Sequence, residues 1–217
     1  MLLLLPPSET KRDGGLTGPL DLAALGFPEL APQRRVVLTA LRRLSRSITG
    51  SMAALGLSPN QRDEIDRNRA IGRSPVLPAV ERYTGVLYDA LDVTTLSSKA
   101  RQYAARHVVV HCALFGLLRA DDPIPAYRLS QDSRLPGLRL RTHWRAAVTA
   151  ALSAQSGLLL DLRSEAYVGL GPAPVGTWYL RVLSEDARGQ RIALSHFNKR
   201  AKGEFVRAVV ESGNDFG

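Results

Sequence analysis

Three apolar runs constrain the fold of this chain more than any other feature. "LLLL" (2–5), "VVVHCALFGLL" (108–118) and "GLLLDL" (157–162) are apolar at nearly every position and end in polar or turn-forming residues. Continuous rather than alternating hydrophobicity is the mark of a strand buried on both faces. The segments between them have helical spacing. Residues 33–47 place Val36, Val37, Leu41 and Leu44 on one face, with Arg34, Arg35, Arg42, Arg43 and Arg46 over most of the rest. Residues 57–71 open on Ser58-Pro59, a cap followed by a first-turn proline. Residues 74–91, 97–107 and 142–155 read as further helices, and a last one runs from about 199 to 212. Residues 177–197 read as a hairpin turning at Asp186–Gly189. Strands and helices interleave, so the expected class is α/β (mixed α+β), with a mixed sheet flanked by helices in a single compact domain over 1–217. There is no internal repeat, low-complexity tract or linker.

Several function classes drop out. No stretch approaches the roughly 18 apolar residues of a membrane span. "MLLLL" lacks a basic flank and runs at once into Pro6-Pro7, so it reads as a strand and not as a leader. The single cysteine, Cys112, excludes a disulfide within the chain and suits a reducing cytoplasm. His107 and His111 stand four apart, but His111 and Cys112 sit among valines, so they read as core and no metal site is expected. A P-loop, a dinucleotide fingerprint and a Ser/His/Asp set are all missing, so no cofactor is expected. What remains is charge. Lys and Arg total 29 against 20 Asp and Glu, a net +9, and all but four of the 29 are Arg. An Arg-rich proteome explains Arg over Lys but not cations over acids. The excess points to DNA, a nucleotide or another small anionic ligand.

Four stretches carry candidate chemistry, each with a plainer alternative. In "LSHFNKRAKGEF" (194–205), a helix beginning near Asn198 puts Lys199 and Lys202 on one face beside Arg200, above the free N–H groups of its first turn. Gly203 would admit a ligand or another backbone. The alternative is a surface pair, Arg200–Glu204, over a core stripe of Ala201, Phe205 and Val209. In "RADDPIPAYRL" (119–129), Arg119 and Arg128 could clamp phosphate and Tyr127 could stack on a base, or the loop could be stiffened by proline and an internal Arg–Asp bridge. In "LRSEAY" (162–167), Ser164, Glu165 and Tyr167 could join Lys199 or Lys202, pairing a carboxylate with an amine for acid–base work, or Ser164 could cap a helix over Tyr167. "RLPGLRLRTHWR" (134–145) carries Arg134, Arg139, Arg141 and Arg145 around a Pro136-Gly137 turn, with no acid from 133 to 160. It could grip a phosphate backbone or form a solvated basic edge.

The pieces "LLLPPSETK" (3–11), "RYTGVLYDAL" (82–91), "FGLLRADDPIPAYRL" (115–129), "HW" (143–144), "DLRSEAY" (161–167) and "HFNKRAKGEF" (196–205) resemble, in order and spacing, the YaaA family of bacterial peroxide stress proteins, also called UPF0246. The resemblance covers nearly the whole chain. It implies cytoplasmic DNA binding through a basic cleft with a helix-hairpin-helix-like element, and a role in limiting oxidative damage by restraining free iron. The site residues it suggests are Lys11, Arg119, Tyr127, Arg128, Trp144, Ser164, Tyr167, Lys199, Arg200, Lys202 and Gly203, with Tyr127 and Trp144 stacking on bases. This sequence departs from the family pattern in four places. Lys11 comes later than the lysine of the enteric Ser-Pro-Ala-Lys start. Lys199-Arg200-Ala201-Lys202-Gly203 exchanges Arg and Lys relative to Lys-Lys-Ala-Arg-Gly. Arg139 stands where a helix-hairpin-helix turn has its second glycine. The chain also ends soon after its last helix, where relatives continue. Two readings of function follow: a DNA-binding protein of the peroxide stress response, or an enzyme acting on a nucleotide, nucleobase or damaged DNA through Glu165 and Lys199 or Lys202.

Overall fold

A computed structural model of the chain describes residues 1–16, 18–185, 191–192 and 195–214. Its strands are β1 (Leu2–Leu5), β2 (Leu77–Pro78), β3 (Val108–Cys112), β4 (Gly116–Arg119), β5 (Pro123–Ile124), β6 (Leu159–Asp161), β7 (Trp178–Tyr179), β8 (Ser184–Glu185) and β9 (Arg191–Ile192). Its α-helices are α1 (Ala31–Leu44), α2 (Ile48–Leu55), α3 (Asp63–Ala70), α4 (Ala79–Arg82), α5 (Val86–Leu91), α6 (Ser98–His107), α7 (Leu140–Ser153), α8 (Glu165–Leu170) and α9 (Ser195–Ser212).

Four successive leucines can all escape water only at the centre of a sheet covered on both faces. That is where β1 lies, with all four buried. The main sheet has the order β4-β3-β1-β6-β7. β1 pairs in parallel with β3 on one side and β6 on the other, β7 continues parallel to β6, and β4 returns antiparallel to β3. Side-chain caps fix several helix starts. Ser47 accepts the Gly50 N–H at 3.1 Å and Ser97 accepts that of Ala100 at 3.2 Å. Ser58 and Gln61 form a capping box. One continuous core joins the sheet to its flanking helices. Among the described residues no helix is long and apolar enough to cross a membrane.

The architecture is therefore the mixed α/β sheet expected, with five local corrections. In α1 the buried face is Arg34, Val37, Leu38, Leu41 and Leu44, so Arg34 lies inside and Val36 outside, the reverse of the expected assignment. The run 108–118 is a hairpin and not a single strand. Gly116, at φ 68°, turns the chain back after Cys112, and a side chain there would press on the Trp144 ring. The segment 74–91 holds two short helices, separated at Gly85 with φ 95°. Trp178–Tyr179 does not pair within a 177–197 hairpin but extends the main sheet as β7. Only β8 and β9 pair as a hairpin, and the Asp186–Gly189 turn lies outside the described residues. Finally, α9 begins at Ser195. Its buried stripe is Lys202, Val206 and Val210, one residue on from the expected Ala201, Phe205 and Val209, and Phe205 is exposed.

Among the described residues three arginines are fully buried, and each ties loops together. Arg34 donates to the carbonyls of Phe115 (2.9 Å), Leu117 (2.7 Å) and Gly26 (2.6 Å). Arg82 donates to those of Ile124 (3.0 Å), Gly14 (3.0 Å), Pro75 (2.9 Å) and Arg12. Buried carbonyls need donors, and a guanidinium supplies five in one rigid plane. Arg163 grips the Asp161 carboxylate with Nε and Nη2 (2.6–3.1 Å), and its Nη1 reaches the Gly171 carbonyl (2.9 Å) and His111 Nδ1 (2.7 Å). Arginine can only donate, so His111 Nδ1 accepts and its proton sits on Nε2. Burial, reinforced by the Arg163 charge, holds the His111 pKa well below the usual range and keeps the ring neutral.

Candidate functional site

In an open sheet with parallel strands, the chain leaves a crevice where successive connections run to opposite sides. Here β1 connects onward toward β3 on one side, while β6 lies on the other. The switch therefore falls between β1 and β6, and the loops leaving their C-terminal ends diverge there. A cleft of about 940 Å³ opens at this point.

The loop after β1 contributes Ser8, Glu9 and Thr10, and the loop after β6 contributes Ser164 and Glu165 at the start of α8. Tyr179 and Arg181 come from β7 and its exit, Lys199 and Lys202 from α9, and Tyr88 and Tyr167 from the surrounding helices. The polar groups are not equivalent. Glu165 pairs with Arg181 at 2.9 Å, and both are exposed. Glu9 pairs with Arg128 at 2.7 Å, with the guanidinium side mostly buried. Lys199 is exposed, whereas Lys202 is only 7% exposed. The Lys202 Nζ donates to the Leu162 carbonyl at 2.8 Å and lies 5.6 Å from the centre of the Tyr179 ring. Burial lowers its pKa, with Asp161 acting in the opposite direction.

Beneath the cleft lies a second buried amine. Lys11 Nζ donates to the Ser8 and Glu9 carbonyls at 3.0 and 3.2 Å and sits 4.3 Å from the centre of the Tyr127 ring. Its pKa is lowered to about 7, chiefly by burial. Tyr127 and Tyr83 share a hydrogen bond of 2.7 Å, and Tyr88 donates to the Pro6 carbonyl at 2.8 Å. This layer holds the 6–10 loop in shape.

A second feature lies along the chain from the cleft wall. Leu129, Ser130 and Gln131 line the cleft, and three residues on begins the cationic stretch. Gly137, at φ 74°, makes the turn, and α7 starts at Leu140. Arg134, Arg139, Arg141 and Arg145 are all exposed, and none forms an ion pair among the described residues. Arg141 and Arg145 border a shallow groove against Pro172.

The model of the YaaA peroxide stress protein family matches residues 1–215. The chain belongs to that family. The UPF0246 protein of Corynebacterium efficiens is 43% identical over 217 residues, covering 98% of this chain and 86% of the relative. That of Streptomyces coelicolor is 41% identical over 221 residues, covering 98% and 84%. That of Roseobacter denitrificans is 32% identical over 215 residues, covering 89% and 82%.

Among the residues suggested by the family pattern, the cleft gathers Ser164, Tyr167, Lys199 and Lys202, together with the acid–base candidate Glu165. Arg128 reaches its rim through Glu9. The others lie elsewhere. Trp144 is fully buried and donates its indole N–H to the Ala113 carbonyl at 2.8 Å, so it has no face free for a base. Tyr127 is likewise buried under Lys11. Both were expected to stack, but an aromatic ring with a polar tip is as well suited to a core that satisfies the tip. Lys11 supports the cleft loop from below and does not line it. Arg119 pairs opposite Val109, near the start of β3 and away from the cleft, where its guanidinium packs on Phe27 and reaches the Arg106 carbonyl. Arg200 turns outward to Glu204 at 2.8 Å. Gly203 does admit a close approach, but of protein. A Cβ there would lie 2.2 Å from the Leu87 carbonyl oxygen, so it seats α9 on α5. The earlier start of α9 also leaves Lys199 and Lys202 beyond its free first-turn N–H groups. His107 and His111 diverge. The first contacts the Met1 carbonyl and the second Arg163.

Sequence reasoning missed Ser8, Thr10, Tyr179 and Arg181. The first two carried a signal, being the polar residues directly after a buried strand. Arg181 carried none, because its placement depends on a two-residue strand joining the main sheet.

Proposed function

We propose that this protein acts in the bacterial peroxide stress response by binding DNA through its phosphate backbone. The observation that carries the reading is the set Arg134, Arg139, Arg141 and Arg145, all exposed, without a carboxylate partner among the described residues and placed around a turn that leads into a helix. Unpaired guanidinium groups on a net +9 chain suit displacement of condensed counterions from a duplex. Such contacts grip backbone and do not read base sequence. The neighbouring cleft, at about 940 Å³, has the volume of a small-molecule site and accommodates a nucleotide displaced from the stack, but not a duplex.

The test is DNA affinity across a salt series, for wild type beside Arg139→Ala/Arg141→Ala/Arg145→Ala. Wild-type affinity should fall steeply with salt. The triple variant should lose about 0.9 of logarithmic slope for each phosphate contact removed. No binding at low salt, or an unchanged slope in the variant, overturns the reading.

A further inference from the structure

We propose that Lys202 is a carbonyl-trapping amine, its Nζ condensing with the free aldehyde of a phosphate-bearing sugar seated in the cleft. The inference rests on the reading of the cleft as a nucleotide-sized site beside a DNA-binding surface. The amine lone pair attacks the carbonyl carbon to give a carbinolamine. Loss of water then yields an imine, the two amine hydrogens leaving with the former carbonyl oxygen. No oxidant or reductant is consumed.

Three observations converge on this residue. Lys202 lines the cleft yet is almost wholly buried. It has one hydrogen bond, to the Leu162 carbonyl, and no ion pair among the described residues. Burial of the side chain disfavours its ammonium relative to an exposed lysine, which raises the share of amine that carries a free lone pair. The third observation is the contrast with the other lysines, of which the chain has only three. Lys11 is engaged by two carbonyls and a tyrosine face beneath the cleft. Lys99 is exposed and does not line it, and Lys199 is exposed at its mouth. The cleft thus pairs a solvated cation that suits a phosphate, Lys199, with a buried amine that suits a carbonyl, while Arg181 is held by Glu165 at 2.9 Å. Glu165 lines the same cleft and can relay protons during loss of water.

The aldehyde has two possible sources: the open-chain sugar of an abasic site in DNA, or a free sugar phosphate. Borohydride trapping of the full chain with an abasic-site duplex, and separately with deoxyribose 5-phosphate, tells them apart. Peptide mapping should place the reduced adduct on Lys202. The first arm alone would indicate the DNA source and the second alone the free one, and either supports the proposal. Lys202→Arg, which keeps a donor for the Leu162 carbonyl, should melt close to wild type while trapping falls to background. Lys202→Met checks that a second, isosteric variant also fails to trap. An adduct mapped to Lys199, Lys99 or the N-terminal amine overturns the proposal. So does trapping undiminished in Lys202→Arg, or no adduct in either arm. If the wild type binds the abasic duplex without forming an adduct, the DNA reading stands and the Lys202 chemistry fails. If it traps the sugar phosphate on Lys202 but ignores DNA, the reverse holds.

Discussion

The same side chain serves two opposite purposes in this molecule. Arg34, Arg82 and Arg163 are fully buried and make three or more hydrogen bonds each. Arg134, Arg139, Arg141 and Arg145 are exposed and pair with no carboxylate among the described residues. The difference shows that net charge is a poor guide to where a basic protein works. The inner arginines add to the charge, but their donors are committed to loop carbonyls or to Asp161, and what they provide is shape. The outer ones form no ion pair among the described residues, and their charge remains available to a partner.

Breaking the inner set should produce the largest effect. Arg163→Met removes the partner of the buried Asp161 carboxylate and the donors to His111 and Gly171. Orphaning one member of a buried ion pair costs about 3–5 kcal/mol. Urea unfolding should show a loss of that size. Arg163→Met/Asp161→Leu should recover part of it, because neither charge is then stranded. A loss below about 1 kcal/mol in the single variant would mean that the inner arginines are not structural, and the contrast would fail.

This division was only partly legible in the sequence. The central strands were readable because parallel strands buried on both faces have no polar positions to confuse the pattern, as "LLLL" shows. The long helices α1 and α7 were readable as helices from their spacing, but the face of α1 was not, because buried Arg34 takes the place expected of Val36. The buried cations left a signal that composition hides. Arg34 stands three and four residues before Val37 and Leu38, and Lys202 four and eight before Val206 and Val210. A cation on the apolar stripe of a helix is either buried with partners or placed for chemistry. Trp144, Tyr127 and Arg181 could not be placed this way. Their surroundings depend on contacts between segments far apart in the chain, such as Trp144 with Ala113 and Arg181 with Glu165.

Lys11 sharpens the comparison from an intermediate position, as a buried cation with no ion pair among the described residues. Its folded pKa of about 7 lies below the ordinary 10.5 of an unfolded chain. Between those values the unfolded state binds more protons, so this contribution to stability rises with pH. Below about 7 both states are protonated, and the full cost of the buried charge is present. The limiting slope is about 1.4 kcal/mol per pH unit. Tyr83, Tyr88 and Tyr127, whose pKa values are raised by burial, oppose the trend once pH passes 10, the ordinary tyrosine value. Thermal melts between about pH 7 and 9.5 should therefore rise for wild type and rise less steeply for Lys11→Met, which keeps only the contribution of Lys202, whose pKa burial also lowers. Equal slopes would show that Lys11 keeps its proton in the fold.

The smallest effect is the most telling for function. Arg139→Ala/Arg141→Ala/Arg145→Ala should change unfolding free energy by no more than about 0.5 kcal/mol per site, since exposed residues without partners contribute little. The substitutions break no ion pair among the described residues. Reduced repulsion among the arginines themselves would make the variant slightly more stable at low salt, and 0.5 M salt would erase that difference, since the Debye length there is about 4 Å. A protein that keeps Arg141 and Arg145 four apart on one helix gives up a little stability to do so. If the triple variant proved markedly less stable, these arginines would belong with the inner set, and the surface would lose its claim on a partner.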